Sequence, residues 1–340
     1  MRKKSPQKNK LKMESVVNME NNNVIRVAKN EIRVCGEVKE AKNLKTYEKE
    51  GKKSISGSLV IKTGEFQEVE VRLFVGELTK KGEVKKAYAT LEKFMNGELK
   101  TLANADEENP VTKVDIFGNG AFTPHFTENL YIGQDGNVKS SIQVELGFGN
   151  IVVKEDLQEE DYCATFDVEV FIKNLKEEMN REGEETGRLI LDTLVPVYGN
   201  VVAPISFVAG VVHDEEDGDI DMADALREGI EIGDTLELWG DIVNLAKVEL
   251  IKKESKFGKA RTIEKKEFVR EYVIIGADEV AECNIYEEDE IREALANREV
   301  KIEGVKEKAE TKEPAGKRKA GFSTKSEEGG NTGKRRPRGF

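Results

Sequence analysis

A short run of alternating residues occurs twice in this chain, and it sets the strongest limit on what the chain can fold into. Val114, Asp115, Ile116, Phe117, Gly118 and Asn119 form the first copy; Leu236, Glu237, Leu238, Trp239, Gly240 and Asp241 form the second. Apolar residues at every second position mark a strand with one buried face. The acid and the aromatic then share the other face, which turns Trp239, the only tryptophan, away from the core.

The flanks repeat as well. Ahead of the first copy lie an alternating run with Ile32, Val34, Gly36 and Val38, a charged turn over 48–53, a run from Gly57 to Thr63 and another from Val69 to Val75. Tyr88, Leu91 and Met95 have helical spacing. After the copy come the hairpin signal Asp135, Gly136 and a strand from Ser141 to Leu146. The second half has runs from Phe166 to Ile172, Gly187 to Thr193 and Pro204 to Ala209, with a charged turn over 176–185. A helix from Met222 to Ile230, the Trp239 strand and a last run from Glu267 to Ile275 complete it. Three strands, a helix, then strands is the order of an OB-fold, a small Greek-key barrel. The expected fold is therefore mainly β, with two tandem OB-like barrels, 30–157 and 160–280, each carrying one short helix. A C-terminal helix over 286–304 follows, acidic at its start and with Arg298 near its end, as the helix dipole favours. Its narrow apolar stripe is expected to dock on the second barrel.

Charge is distributed unevenly. Residues 1–29 carry eight Lys/Arg against two Glu, and 305–340 carry eleven against five, so each end is +6. The whole chain is −12, which leaves −24 on the body. Both ends read as disordered basic arms that a polyanion would meet first, or as solubilising tails. The tail holds two clusters: Lys317, Arg318 and Lys319, then Lys334, Arg335, Arg336 and Arg338. Met1 and Met13 are both candidate starts. Cys35, Cys163 and Cys283 lie far apart in sequence, a pattern of neither a disulfide framework nor a zinc site. A reducing, cytoplasmic setting is expected. There is no secretory leader pattern and no membrane-length apolar run.

Enzyme readings fail on inventory. His125 and His213 are the only histidines, neither beside a nucleophile motif, and no phosphate-cradling Gly-x-x-x-x-Gly-Lys pattern occurs. The acidic run 213–221 places His213 and Asp224 where a calcium loop needs a carboxylate and a Glu. No cofactor, metal or catalysis is expected. Binding remains. OB barrels hold single strands by stacking bases on aromatics and passing the backbone along cations. The candidates are Phe117 and Trp239 on equivalent strands, and Phe122, Phe126 and Tyr131 near the hairpin between strands four and five, with Lys139 as a cation. Phe126 and Tyr131, flanked by polar residues, are expected at the surface. Trp239 is open to two readings, a stacking platform or a contact between the barrels.

Tyr131, Asp135, Gly136 and Lys139, in the order Tyr-x-x-x-Asp-Gly-x-x-Lys and running into a strand that ends near Asn150 and Ile151, resemble the corresponding hairpin of OB-fold single-stranded DNA-binding proteins. The duplicated form is similar to what phages and mobile elements carry. The resemblance implies protection of single-stranded DNA, with RNA as the alternative, and replication or recombination proteins as partners. Bacterial members end in an acidic stretch closed by Pro-Phe. Here Phe340 follows Arg335, Arg336, Pro337, Arg338 and Gly339, so that docking role does not carry over. The competing reading is an assembly or adaptor protein whose two barrels bind another protein.

Overall fold

The computed structural model describes residues 24–118, 123–147, 149–214, 218–253 and 261–311. The first half contains β1 (Asn30–Lys49), β2 (Lys52–Lys62), β3 (Glu68–Gly76), α1 (Lys86–Met95), β4 (Lys113–Phe117), β5 (His125–Ile132), β6 (Val138–Leu146) and β7 (Asn150–Val153). The second half contains β8 (Cys163–Met179), β9 (Glu185–Val197), β10 (Val201–Ala209), β11 (Val211–Asp214), β12 (Gly218–Asp221), α2 (Met222–Gly229), β13 (Thr235–Lys253) and β14 (Arg261–Glu279). The helix α3 (Glu288–Thr311) follows.

The chain is mainly β, and the pairings of the two halves follow one plan. In the second half they run β8-β9-β10-β14-β13 and return to β8. In the first half they run β4-β1-β2-β3-β6, and β7, which follows β6, pairs back onto β4. In each half the one parallel pair joins the third strand to a late one, β3 to β6 and β10 to β14. Both repeated runs lie on the strand that pairs with the first strand of their half. Ile116 stands opposite Val34, and Leu238 opposite Val168. β1 and β8 pair with each other, so one sheet joins the halves. Cys35 and Cys163 face one another in that pairing, both free, and burial pushes the Cys35 thiol up to about 12.

Alternation explains the core. Val69, Val71, Leu73 and Val75 are buried while Glu70, Arg72 and Phe74 between them are exposed. Ala87, Tyr88, Leu91 and Phe94 bury the inner face of α1; Met95, expected there, is exposed. The charged stretch over 176–185 continues two strands to a short turn, because Asn180 accepts hydrogen bonds from the backbone N–H of Glu182 and Glu184. Residues 24–29 pack against the second half. The Ile25 N–H donates to Asn200 Oδ1 at 2.9 Å, and Ile25 and Ala28 are buried.

The C-terminal helix differs from expectation in length and place. It runs to Thr311, so Arg298 lies mid-helix, and it docks across both halves, on β10 and on the β5–β6 hairpin. Arg298 clasps Glu128 with two hydrogen bonds of 2.8 and 2.6 Å, both side chains largely buried. Among the described residues no helix is long and apolar enough to cross a membrane.

Candidate nucleic-acid interface

The repeated runs place their outward residues on one face, spread over β4, β1, β8 and β13. Cross-strand neighbours point the same way, so Trp239, Asp167 and Glu31 form one row and Asp241, Thr165 and Arg33 the next. Arg33 clasps Asp115 at 3.0 and 2.9 Å. Lys29 bonds Asp167 and Glu237, both at 2.5 Å. Burial opposes the Lys29 charge, but those two bonds raise its pKa above the ordinary lysine range. Burial pushes Asp167 and Asp241 up. The cations here are already matched by carboxylates, and Glu31 and Asp241 add more acid. Phe117 is half-buried beside a groove of about 450 Å³ lined by Glu31, Arg33, Asp115 and Asp167.

Trp239 is 37% exposed. Its indole lies flat across Gly276: a Cβ there would stand 2.2 Å from Cε2 and Cζ2. Glycine is required because the ring occupies the space of a side chain. Gly276→Ala is therefore expected to cost roughly 1–3 kcal/mol by forcing the indole off its seat, read by denaturant unfolding together with a shift of tryptophan emission.

Phe126 corrects the sequence reading most clearly. It is 0% exposed, not a surface residue. Its ring centroid lies 4.7 Å from Tyr272, 6.0 Å from Phe166 and 6.2 Å from Phe207, all in the second half. Polar neighbours in sequence suggested exposure, but the other half covers the ring. Tyr131 is exposed on β5 opposite Lys139, and Lys139 is 3.4 Å from Asp135. Phe122 and the tail residues Lys317, Arg318, Lys319, Lys334, Arg335, Arg336 and Arg338 lie outside the described residues. Of the acidic run, Asp221 caps α2 by accepting from the Asp224 N–H, and His213 lies 2.7 Å from Asp219. Residues 215–217 lie outside the described residues. Among the described residues no group of three metal-ligating side chains forms.

A different face combines exposed aromatics with cations. On the outer side of β1, β2 and β3 three rows follow one another: Lys42, Ser58, Arg72; Lys45, Ser56, Phe74; and Tyr47, Ser54, Gly76. Successive outward residues of a strand are about 6.6 Å apart. Tyr47 is 53% and Phe74 56% exposed. The serines of the middle strand leave a shallow floor between the flanking aromatics and cations. Gly57 makes the register possible, since a Cβ there would lie 2.7 Å from Leu44, which fills the bulge between Lys42 and Lys45. Glu40 and Glu70, in the row next to Lys42, Ser58 and Arg72, are acids of this face, and both lie within ion-pair distance of Lys42. Burial raises the Glu70 pKa, but the Ser58 hydroxyl, Lys42 and the Arg72 charge together hold it below the usual value. Lys45 and Arg72 form no ion pair among the described residues.

Sequence reasoning missed this face although the signal was present. Phe74 breaks the alternation of β3 by standing among Glu70 and Arg72. The matching surface of the second half differs. Lys176 pairs with Asp192, Asp192 accepts from Ser206, Arg188 pairs with Glu178 and Glu271, and β8, β9 and β10 carry no exposed aromatic.

The chain is similar to the crystal structure of the wild-type single-stranded DNA binding protein from Thermus aquaticus, at 12% identity and a TM-score of 0.40, over 75% of this chain and 95% of that one. It is also similar to a deletion mutant of that same protein, at 12% identity and a TM-score of 0.37, over 75% and 96%. No curated protein matches the sequence. The family model that matches spans residues 29–308, nearly all of the described structure, and it is that of YorF; the chain belongs to the YorF family.

Proposed function

We propose that this protein binds single-stranded nucleic acid, DNA in the first instance, without catalysis, on a scaffold of two tandem OB-like barrels. The observation that carries the reading is the outer face of β1–β2–β3, where Tyr47 and Phe74 stand exposed beside Lys45 and Arg72 over a floor of serines. Bases would stack on the two rings, each stack contributing roughly 1–3 kcal/mol, and phosphates would meet the cations. The acidic body helps by exclusion: carboxylates on the face of Phe117 and Trp239 repel a polyanion, which favours the face that carries Lys45 and Arg72. Replication or recombination, in the cytoplasm of a phage or mobile-element host, is the setting this activity would serve.

An oligothymidylate titration tests the reading. Tyr47→Ala and Phe74→Ala are each expected to weaken binding by roughly 1–3 kcal/mol, with melting temperatures close to the parent because both side chains are exposed. Unchanged affinity in both variants would contradict it. Failure of the parent protein to bind would favour the adaptor reading.

The basic tail adds an electrostatic footing in this proposal. Because α3 runs to Thr311, the informative truncation removes 312–340, with nine Lys/Arg against three Glu. Binding should weaken and its salt dependence flatten. Identical slopes for the full and truncated chains would make the tail a solubility element.

A further inference from the structure

Where the two halves meet, a groove of about 290 Å³ opens between β3 and β6 on one side and β13 and β14 on the other. Its polar lining is Glu70, Arg72, Gln143, Asn244, Arg270 and the Tyr272 side chain. The walls are tied together, since Asn244 Nδ2 donates to the Glu68 carbonyl at 2.7 Å and Gln67 bridges to Leu245. Tyr272 is held from behind by Phe126.

The arginines set this groove apart. Arg26, Arg33, Arg188, Arg227, Arg292 and Arg298 each lie within ion-pair distance of a carboxylate. Among the described residues Arg72 and Arg270 form no such pair, and both line this groove, one from each half. Among the described residues Glu70 is the groove's one lining carboxylate and feels the Arg72 charge, so the two exposed guanidinium groups outnumber it and suit an anion. Glu70, the acid at the rim, is already engaged by Ser58 at 2.6 Å and Lys42 at 3.3 Å. Guanidinium groups suit phosphate oxygens through paired N–H donors, and Gln143 and Tyr272 offer further donors. Arg72 also closes the row Lys42, Ser58, Arg72, so the groove continues the trough of the β1–β2–β3 face.

We infer that this groove is a phosphodiester site shared by the two halves, through which a single strand leaving the Tyr47–Phe74 face passes onto the second half. The inference rests on the single-strand reading above and adds the path of the backbone. The second half then contributes through Arg270 at the junction, although its own outer face is closed by internal ion pairs.

The test titrates the full chain with oligothymidylate over a range of salt concentrations. Arg72→Ala and Arg270→Ala should each weaken binding about tenfold near 0.1 M salt and lower the log–log salt slope by about 0.7. Arg270→Lys should keep most of the slope. Both positions are exposed, and melting curves confirm that the variants stay folded. If Arg270→Ala binds as tightly and as salt-dependently as the parent while Phe74→Ala is weakened, the groove is not on the path and the single-strand reading survives. If the parent binds no oligonucleotide, both fall. Inorganic phosphate serves as the second arm. Displacement of the oligonucleotide beyond that by chloride at equal ionic strength, in the parent but not in Arg270→Ala, is expected when a phosphodiester occupies the groove. Phosphate binding that depends on Arg270 yet leaves the oligonucleotide in place would make the groove a free-phosphate site and overturn the assignment.

Discussion

Phe126→Ala is expected to lower the stability of the fold by about 3–5 kcal/mol, the range for deleting a buried aromatic side chain. Phe126 is the first half's one member of a ring cluster otherwise made of Phe166, Phe207 and Tyr272. Its backbone is fixed as well: Asn30 accepts from the Phe126 N–H at 2.9 Å and donates to its carbonyl at 3.0 Å. Removing the ring opens a cavity where the halves meet, and that clasp limits how far β5 can collapse into it. Denaturant unfolding measures the loss. A variant as stable as the parent, with weakened oligonucleotide binding, would restore Phe126 to the surface role that its polar neighbours suggest.

Arg298→Ala is expected to have an effect of similar size, about 3–5 kcal/mol, because it strands the largely buried Glu128 carboxylate. Glu128 would keep only the Ser140 hydroxyl, at 2.5 Å, among its described side-chain partners. Replacing both partners by Arg298→Met with Glu128→Leu should recover much of the loss, since burying one unpaired charge costs more than burying none. If the single and double variants unfold at the same denaturant concentration, the pair does not pin α3 to the β5–β6 hairpin.

Much of the strand plan was legible because a strand with one buried face writes its period into the sequence. The runs around Ile116 and Leu238 take the same register against Val34 and Val168, and the aromatic of each run does point away from the core. What those aromatics meet was not legible. Trp239 rests on Gly276, and Phe126 is covered by β8, β10 and β14; both contacts join residues distant in sequence, which no local pattern encodes. Arg298 shows a subtler limit. Its place near a helix end suggested a dipole partner, but the charged stretch has no proline until Pro314, and the helix runs past it. Phe74 was the reverse case, readable from the phase of β3. The spare charge of Arg72 and Arg270 needed the structure, because it depends on which carboxylates fail to reach them.

Photo-crosslinking locates a bound single strand on the protein. A single strand carrying 5-iodouracil at successive positions would be irradiated on the protein and the adducts mapped by mass spectrometry. The account predicts adducts at Tyr47 and Phe74, on the outer face of β1–β2–β3. Adducts confined to Phe117, Trp239 and their neighbours, with none on that face, would contradict it.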